Sequence, residues 1–345
     1  MSLKSEILEQ PDVVQRVLDT QMGIAHQVAA AIRDRDIRYV FIAARGTSDN
    51  AAIYAKYVWG AFNRLPIALA APSLFTLYER PPLLRDTLVV GISQSGQSPD
   101  VVSVLAEGRR QGVPTVALTN EPGSPLAGAA DYVLDIQAGQ EKAIAATKTY
   151  TSSLMALAMI SAALSGDPTQ LADLAHVPAT MQAALAVDPA IKAGIGRFRN
   201  MTRCVVLGRG FNYATAFEWA LKMKELTYVV SEPYSPADFR HGPIALVEPG
   251  FPVMVMAPKS RLLGDEVDLL ETLVNKHSAD LAVISDDDRA LSFGHLALRL
   301  PDGLPEWITP LVGIVQAQLF CYHLTQVRGI DPETPRGLTK VTETL

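Results

Sequence analysis

The chain has 345 residues, and at about 100–200 residues per domain that length accommodates two domains. A hydrophobic fraction of 48% and a charged fraction of 19% exclude a disordered chain, which would lack the apolar surface for a core. The formal charge of -6 excludes a broad basic surface, so nucleic acid is not an expected partner, although a local site can still attract a small anion.

Two cysteines, Cys204 and Cys321, lie far apart among apolar neighbours. They make neither a disulfide framework nor a zinc cluster, and no histidine pair has metal-ligand spacing, so no metal and no cofactor are expected. The opening Met-Ser-Leu-Lys-Ser-Glu lacks the apolar run of a secretory signal. The longest apolar stretch, residues 154–164, is too short to span a bilayer and contains Ser161. A cytoplasmic protein without a membrane partner is the expectation.

In chain order, residues 39–44 read as a buried strand, followed by Arg45-Gly46-Thr47-Ser48 and a helix over about 50–62. Residues 88–92 read as the next strand, ending in Ser93-Gln94-Ser95-Gly96-Gln97-Ser98, with a helix running to about Arg110. Strands over 115–119 and 132–136 and a long helix over about 147–164 complete the first half. The connection over 166–189 has Ala/Leu periodicity and reads as helix. The second half repeats the order. A strand over 204–207 leads into Gly208-Arg209-Gly210 and a helix over about 213–229. Strands over 253–256, 281–284 and 296–298 follow, and a helix over about 307–328 closes the half. Apolar strands alternating with helices predict parallel sheets covered on both faces. Arg45-Gly46 and Arg209-Gly210 follow the first strand of each half, which indicates a tandem duplication of one doubly wound α/β unit.

The segment 91–100 carries the strongest chemical signal. Hydroxyl and amide side chains crowd a glycine-containing turn at a strand end, with Ser98 placed to cap the next helix and Pro99 at its first position. Backbone N–H groups and a positive helix end would converge there, as a phosphate site requires. The turn lacks both Gly-Lys-Ser/Thr and the three-glycine dinucleotide spacing, so nucleotide is disfavoured. Residues 44–49 form a second such turn, in which Ser48 or Asp49 caps a helix or Thr47 and Ser48 meet substrate hydroxyls. The counterpart in the second half, Ala257-Pro-Lys-Ser-Arg261, has lost the run of hydroxyls. One phosphate site per chain is therefore expected.

Glu218, Lys222 and Glu225 fall at i, i+4 and i+7 on a helix whose other positions are largely apolar, so the charged stripe is expected to face a cleft or a partner. A carboxylate beside a lysine there can serve as a general base. His241, between Pro236 and Pro243 and beside Gly242, is expected to be held but exposed. The tail 335–345 reads by itself as a frayed terminus.

Taken together, Ser93-Gln-Ser-Gly, Ala146-Thr-Lys148, Ala220-Leu-Lys-Met-Lys-Glu225, His241-Gly-Pro and Pro335-Arg-Gly-Leu-Thr-Lys340 resemble the sugar isomerase (SIS) domain family. They resemble most the tandem isomerase half of glutamine–fructose-6-phosphate amidotransferase, and Glu6-Ile-Leu-Glu-Gln-Pro11 is similar to the segment that opens that half. The resemblance implies two tandem doubly wound, three-layer α/β/α SIS domains with parallel sheets. Residues 1–170 are then the first, with an N-terminal helical segment, and residues 171–345 the second, with a tail closing the site. The synthase carries a glutaminase domain and Cys-Gly-Thr-Ser. This sequence has Arg45-Gly-Thr-Ser-Asp49, which resembles the stand-alone isomerising glucosamine-6-phosphate deaminases, and is expected not to take ammonia from glutamine.

By the same resemblance, Ser93, Gln94, Ser95 and Ser98 bind phosphate, and Thr47 and Ser48 line the sugar. The backbone near Ile144 and Ala145 approaches the sugar hydroxyls. Glu225 moves a proton between C1 and C2, supported by Lys222 and Glu218. His241 helps open the ring from the partner subunit of a homodimer. Lys340 contacts the sugar carbonyl from a closing tail, although Gly337 and Thr339 depart from the synthase pattern. The implied reaction converts glucosamine 6-phosphate to fructose 6-phosphate and ammonia. The alternatives are a deglycase of fructosamine or amino-acid–sugar 6-phosphates, a simple aldose–ketose phosphosugar isomerase, and a non-catalytic sugar-phosphate sensor.

Overall fold

The computed structural model describes residues 2–340. The chain divides into two compact units, each with its own sheet. The first contains Glu9–Glu141, Lys148–Pro178, Thr339 and Lys340; the second contains residues 2–8, Lys142–Thr147 and Ala179–Leu338.

Five parallel strands build the first unit: β1 (Tyr39–Ala43), β2 (Ile67–Leu69), β3 (Thr87–Ile92), β4 (Thr115–Thr119) and β5 (Tyr132–Asp135), in the order β2-β1-β3-β4-β5. Val40 lies opposite Leu88, and Val89 opposite Thr115. β3 and β4 are buried along their whole length, which is why they read as unbroken apolar runs. The helix Lys148–Ser165 has no solvent face from Lys148 to Ala163 and packs between the helices Gln10–Asp34 and Thr47–Asn63. Among its buried polar residues Ser161 is satisfied by a neighbouring helix: Ser161 Oγ donates to Asn63 Oδ1 at 2.7 Å, and Asn63 Nδ2 donates to the Ser161 carbonyl at 3.0 Å. No helix among the described residues is long and apolar enough to cross a membrane.

The second unit repeats this plan with β6 (Arg203–Gly208), β7 (Val230–Tyr234), β8 (Pro252–Met256), β9 (Asp280–Ser285) and β10 (Leu296–Arg299), in the order β10-β9-β8-β6-β7. Read from β7, the order is the same as in the first unit. Both sheets therefore have doubly wound parallel topology, and each reverses direction between its first and third strands. Leu207, Val253, Val255, Leu270 and Val283 form the core between sheet and helices. On the other side Trp219 meets Phe320 edge-on, with ring centroids 5.4 Å apart.

Several boundaries differ from those expected. β2 and β7 are sheet edges whose partial burial, and in β7 Pro233, hide them from a search for apolar runs. The helix after β1 begins at Thr47, not near residue 50, with Gly46 at its N-cap and no side-chain cap from Ser48 or Asp49. A single cut after residue 170 does not describe the units. The short helix Leu3–Leu8 groups with the second unit because Leu3 N–H donates to Glu333 at 3.0 Å, Lys4 pairs with Asp188 at 2.8 Å, and Glu6 accepts from Lys142 N–H at 2.6 Å. Lys340 groups with the first unit because its ammonium pairs with Glu141 at 2.6 Å.

Candidate active site

In the first unit, the chain leaves β1 and β3 in opposite directions, and the turns after these strands flank the switch point where ligands of such sheets bind. The turn after β3 is tightly built. Gly96 adopts φ +60°, and a Cβ there would sit 2.0 Å from Ser124 Oγ, so only glycine fits. Gly96 N–H donates to Ser93 Oγ at 3.2 Å, and Gln97 N–H donates to Ser95 Oγ at 3.3 Å. Asn120 N–H and Thr119 Oγ1 both donate to the Gln94 carbonyl, at 3.1 and 3.3 Å. Ser98 is the N-cap of the helix Pro99–Arg110, but its side chain makes no cap hydrogen bond, contrary to the capping role expected of it. Pro99 needs no N–H partner, and Asp100 Oδ1 instead accepts from Val101 N–H at 2.8 Å. The Ser98 hydroxyl is thus left over from helix capping at a positive helix end.

Sequence reasoning gave Arg45 and Asp100 no role, yet they join the two turns. Arg45 Nε lies 2.7 Å from Asp100 Oδ2, whose side chain is fully buried. Burial raises the Asp49 carboxyl above its ordinary value, against the opposing pull of Arg45 and Lys56. Thr47 and Ser48 occupy the first helical turn beside this pair.

In the second unit, the helix Tyr213–Lys222 passes into a π-helical turn over Met223–Thr227, and Tyr228 ends it at φ +59°. Glu225 lies in that turn, a distortion that recurs at functional sites. The charged residues do lie together along one face, but two of the three are closed off from solvent. Glu218 and Lys222 are buried, and the Glu225 side chain keeps 21% exposure. Lys222 Nζ lies 3.4 Å from Glu218 Oε1 and also pairs with Glu225 Oε2. Burial disfavours charge on Lys222, but the two carboxylates outweigh it and hold its pKa above the ordinary lysine range. The ammonium therefore stays charged and fixes both carboxylates. The stripe can turn inward because its charges neutralise one another at the spacing read from the sequence; the burial itself is what that spacing does not show.

His241 follows the short helix Pro236–Arg240, whose N-cap Ser235 accepts from Asp238 N–H at 3.1 Å; the histidine is exposed. Ile144 and Ala145 lie in the segment clamped by Glu6, which also accepts from Ala143 N–H at 3.2 Å. The tail is not frayed at its root. Arg336 N–H donates to the Tyr228 hydroxyl at 2.6 Å, and its guanidinium stacks 4.5 Å over that ring. Residues 341–345 lie outside the described residues.

The first unit thus holds Thr47, Ser48, Ser93, Gln94, Ser95, Ser98 and Lys340, and the second holds Glu218, Lys222, Glu225, His241, Ile144 and Ala145. The switch point of the second unit has different chemistry. Arg209 pairs with Asp265, Arg240 donates to the Asp265 carbonyl at 2.7 Å, and burial pushes the neighbouring Glu266 up to about 8.

Known proteins share this architecture along nearly the whole chain. Glutamine–fructose-6-phosphate aminotransferase [isomerizing] of Pyrococcus horikoshii is 32% identical over 341 residues, covering 97% of this chain and 56% of that protein. The chain thus spans about half the length of that relative. A solved protein of Silicibacter pomeroyi DSS-3, which carries the provisional name phosphosugar isomerase, is 34% identical with a TM-score of 0.86, covering 96% of this chain and 100% of the other. The C-terminal domain of glucosamine-fructose-6-phosphate aminotransferase from Francisella tularensis is 26% identical with a TM-score of 0.86, covering 96% and 98% of the two chains. The SIS domain model matches twice, over residues 35–163 and 197–328, once per sheet. The chain belongs to the SIS domain family.

Proposed function

We propose that the protein is a phosphosugar enzyme of the isomerase kind, acting as an isomerising glucosamine-6-phosphate deaminase. One observation carries the reading: a buried, charged Lys222 holds Glu225 at the only exposed end of a three-residue ionic group. A carboxylate fixed in this way, on a distorted helical turn, suits proton transfer between adjacent carbons. The serine turn after β3, with its helix N-terminus, suits a phosphate monoester. Arg45 stands where the synthases carry cysteine, which favours the ammonia-releasing relatives over the ammonia-fixing ones.

In the proposed reaction, Ser93, Gln94, Ser95 and Ser98 hold the phosphate of glucosamine 6-phosphate, and Thr47, Ser48 and the backbone at Ile144 and Ala145 contact the sugar. His241, contributed by the partner subunit of a homodimer, assists ring opening. Glu225 takes the C2 proton and returns it to C1, which turns the open-chain amino aldose into a 2-imine. Lys340 steadies the oxygen at C1 while charge develops there. Water adds to the imine carbon, and ammonia leaves with fructose 6-phosphate as the product. Lys222 and Glu218 position Glu225.

The test pairs turnover with binding. Ammonia release from glucosamine 6-phosphate should fall by about 10²–10⁴-fold in Glu225→Gln, the usual contribution of a general base, while the dissociation constant for the sugar phosphate stays within a few-fold. A fully active Glu225→Gln enzyme, or wild-type protein that releases no ammonia, overturns the proposal.

A further inference from the structure

Lys340 is the tail lysine assigned to the sugar carbonyl above, and the structure holds it by a residue with no role so far. Its Nζ lies 2.6 Å from Glu141 Oε2, and the Glu141 side chain is fully buried. Thr149 holds both oxygens of that carboxylate. Oε1 accepts from Thr149 N–H at 3.1 Å, and Oε2 accepts from Thr149 Oγ1 at 2.9 Å. Thr149 stands in the first turn of the helix Lys148–Ser165, where unpaired N–H groups and the positive helix end stabilise an anion. Glu141 is thus anchored on the buried central helix of its unit, and the lysine comes to it from the tail.

The location gives this pair its meaning. Glu141 and Gln94, the latter from the serine turn, line the same cavity of about 440 Å³ at the C-terminal ends of β4 and β5. Asn120 is shared between the two parts of its wall. Its N–H donates to the Gln94 carbonyl at 3.1 Å, and its Nδ2 donates to the Gly139 carbonyl at 2.7 Å. A tail lysine seated on Glu141 is therefore held by a residue that shares a cavity wall with Gln94 of the serine turn. An ordinary stabilising salt bridge would not need a fully buried carboxylate, whose desolvation costs much of the attraction.

We infer that Glu141 is the positioning residue of Lys340: it seats the tail on the first unit and aims the ammonium at the sugar end of the phosphosugar site. The inference rests on the role proposed for Lys340. Glu141 does not touch the substrate and acts only through the lysine.

Two measurements test it. The first needs no activity. Trypsin cleaves after lysine and arginine, and cleavage after Lys340 requires that side chain to leave Glu141. Glu141→Gln keeps the acceptor for Thr149 N–H but loses the charge. It should speed cleavage after Lys340 by about 10–100-fold relative to cleavage after Arg336, the range for losing a hydrogen bond between charged groups. The second is a double-mutant cycle on kcat/KM for glucosamine 6-phosphate. Glu141→Gln and Lys340→Ala should each lower it, and the double variant should match Lys340→Ala alone. Glu141→Asp, which keeps the charge, should recover part of the loss. Unchanged proteolysis, or losses that simply add in the double variant, overturn the inference. Wild-type protein inert towards the sugar phosphate would instead refute the proposed function, and the proteolysis would still decide whether Glu141 holds Lys340.

Discussion

Arg45 and Asp100 join the two turns of the first switch point through a 2.7 Å contact between an exposed guanidinium and a fully buried carboxylate. The second unit places Arg209 and Asp265 in the matching turns, also as an ion pair. The duplicated framework thus keeps an arginine–carboxylate clamp across both switch points, while the hydroxyl-rich turn survives in only one.

Removing the clamp arginine leaves Asp100 buried with one of its partners gone. Arg45→Ala should lower stability to urea by about 1–3 kcal/mol, and pairing it with Asp100→Asn should recover part of that loss, since the buried charge is then absent. Equal urea midpoints for Arg45→Ala and wild type would show that the clamp contributes nothing.

Lys222 presents a harsher case, because it neutralises two carboxylates at once. Lys222→Met removes the ammonium beside the buried Glu218 carboxylate and should cost about 3–5 kcal/mol, the usual penalty for breaking a buried pair from one side. Adding Glu218→Gln should return much of it without restoring turnover, because Glu225 still lacks its anchor. Denaturant unfolding and ammonia release, measured on the same two variants, separate the stability role from the catalytic one.

Gly96 is required by geometry. An alanine there would hold a positive φ and place its Cβ 2.0 Å from Ser124 Oγ. Gly96→Ala should reshape the serine turn, and calorimetry should read at least about a tenfold weaker affinity for the sugar phosphate, with the circular dichroism of the sheets retained. Unaltered binding would exclude this turn as the phosphate site.

Glu266 gives a pH dependence with a defined sign. Burial raises its folded pKa to about 8 from 4.5, so the folded protein binds this proton more tightly than the unfolded chain. Its contribution to stability is full below the unfolded value and is lost as pH rises from about 4.5 to about 8, with a slope of at most about 1.4 kcal/mol per pH unit. Glu266→Gln carries no such proton. Its advantage in urea midpoint over wild type should grow between pH 5 and pH 8, a window read from the same shift, and a constant difference would show that Glu266 titrates normally.

The sequence by itself determined the α/β class, the central strands, the duplication and the serine turn, because each is written in local pattern. Strands buried on both faces must be apolar throughout, and a run of small polar residues around a glycine at a strand end is itself a local pattern. The edge strands β2 and β7 escaped because partial burial removes the apolar demand. The inward turn of Glu218 and Lys222, the Arg45–Asp100 clamp and the seating of Lys340 on Glu141 were decided by tertiary structure alone. The clamp and the seating each bring a charge to its opposite across the fold, 55 residues apart in the first and 199 in the second, whereas Glu218, Lys222 and Glu225 lie 3–4 residues apart and only their burial was decided outside the helix. Whether a buried charge is neutralised depends on distances in space, and a sequence pattern fixes those only within one helix or strand.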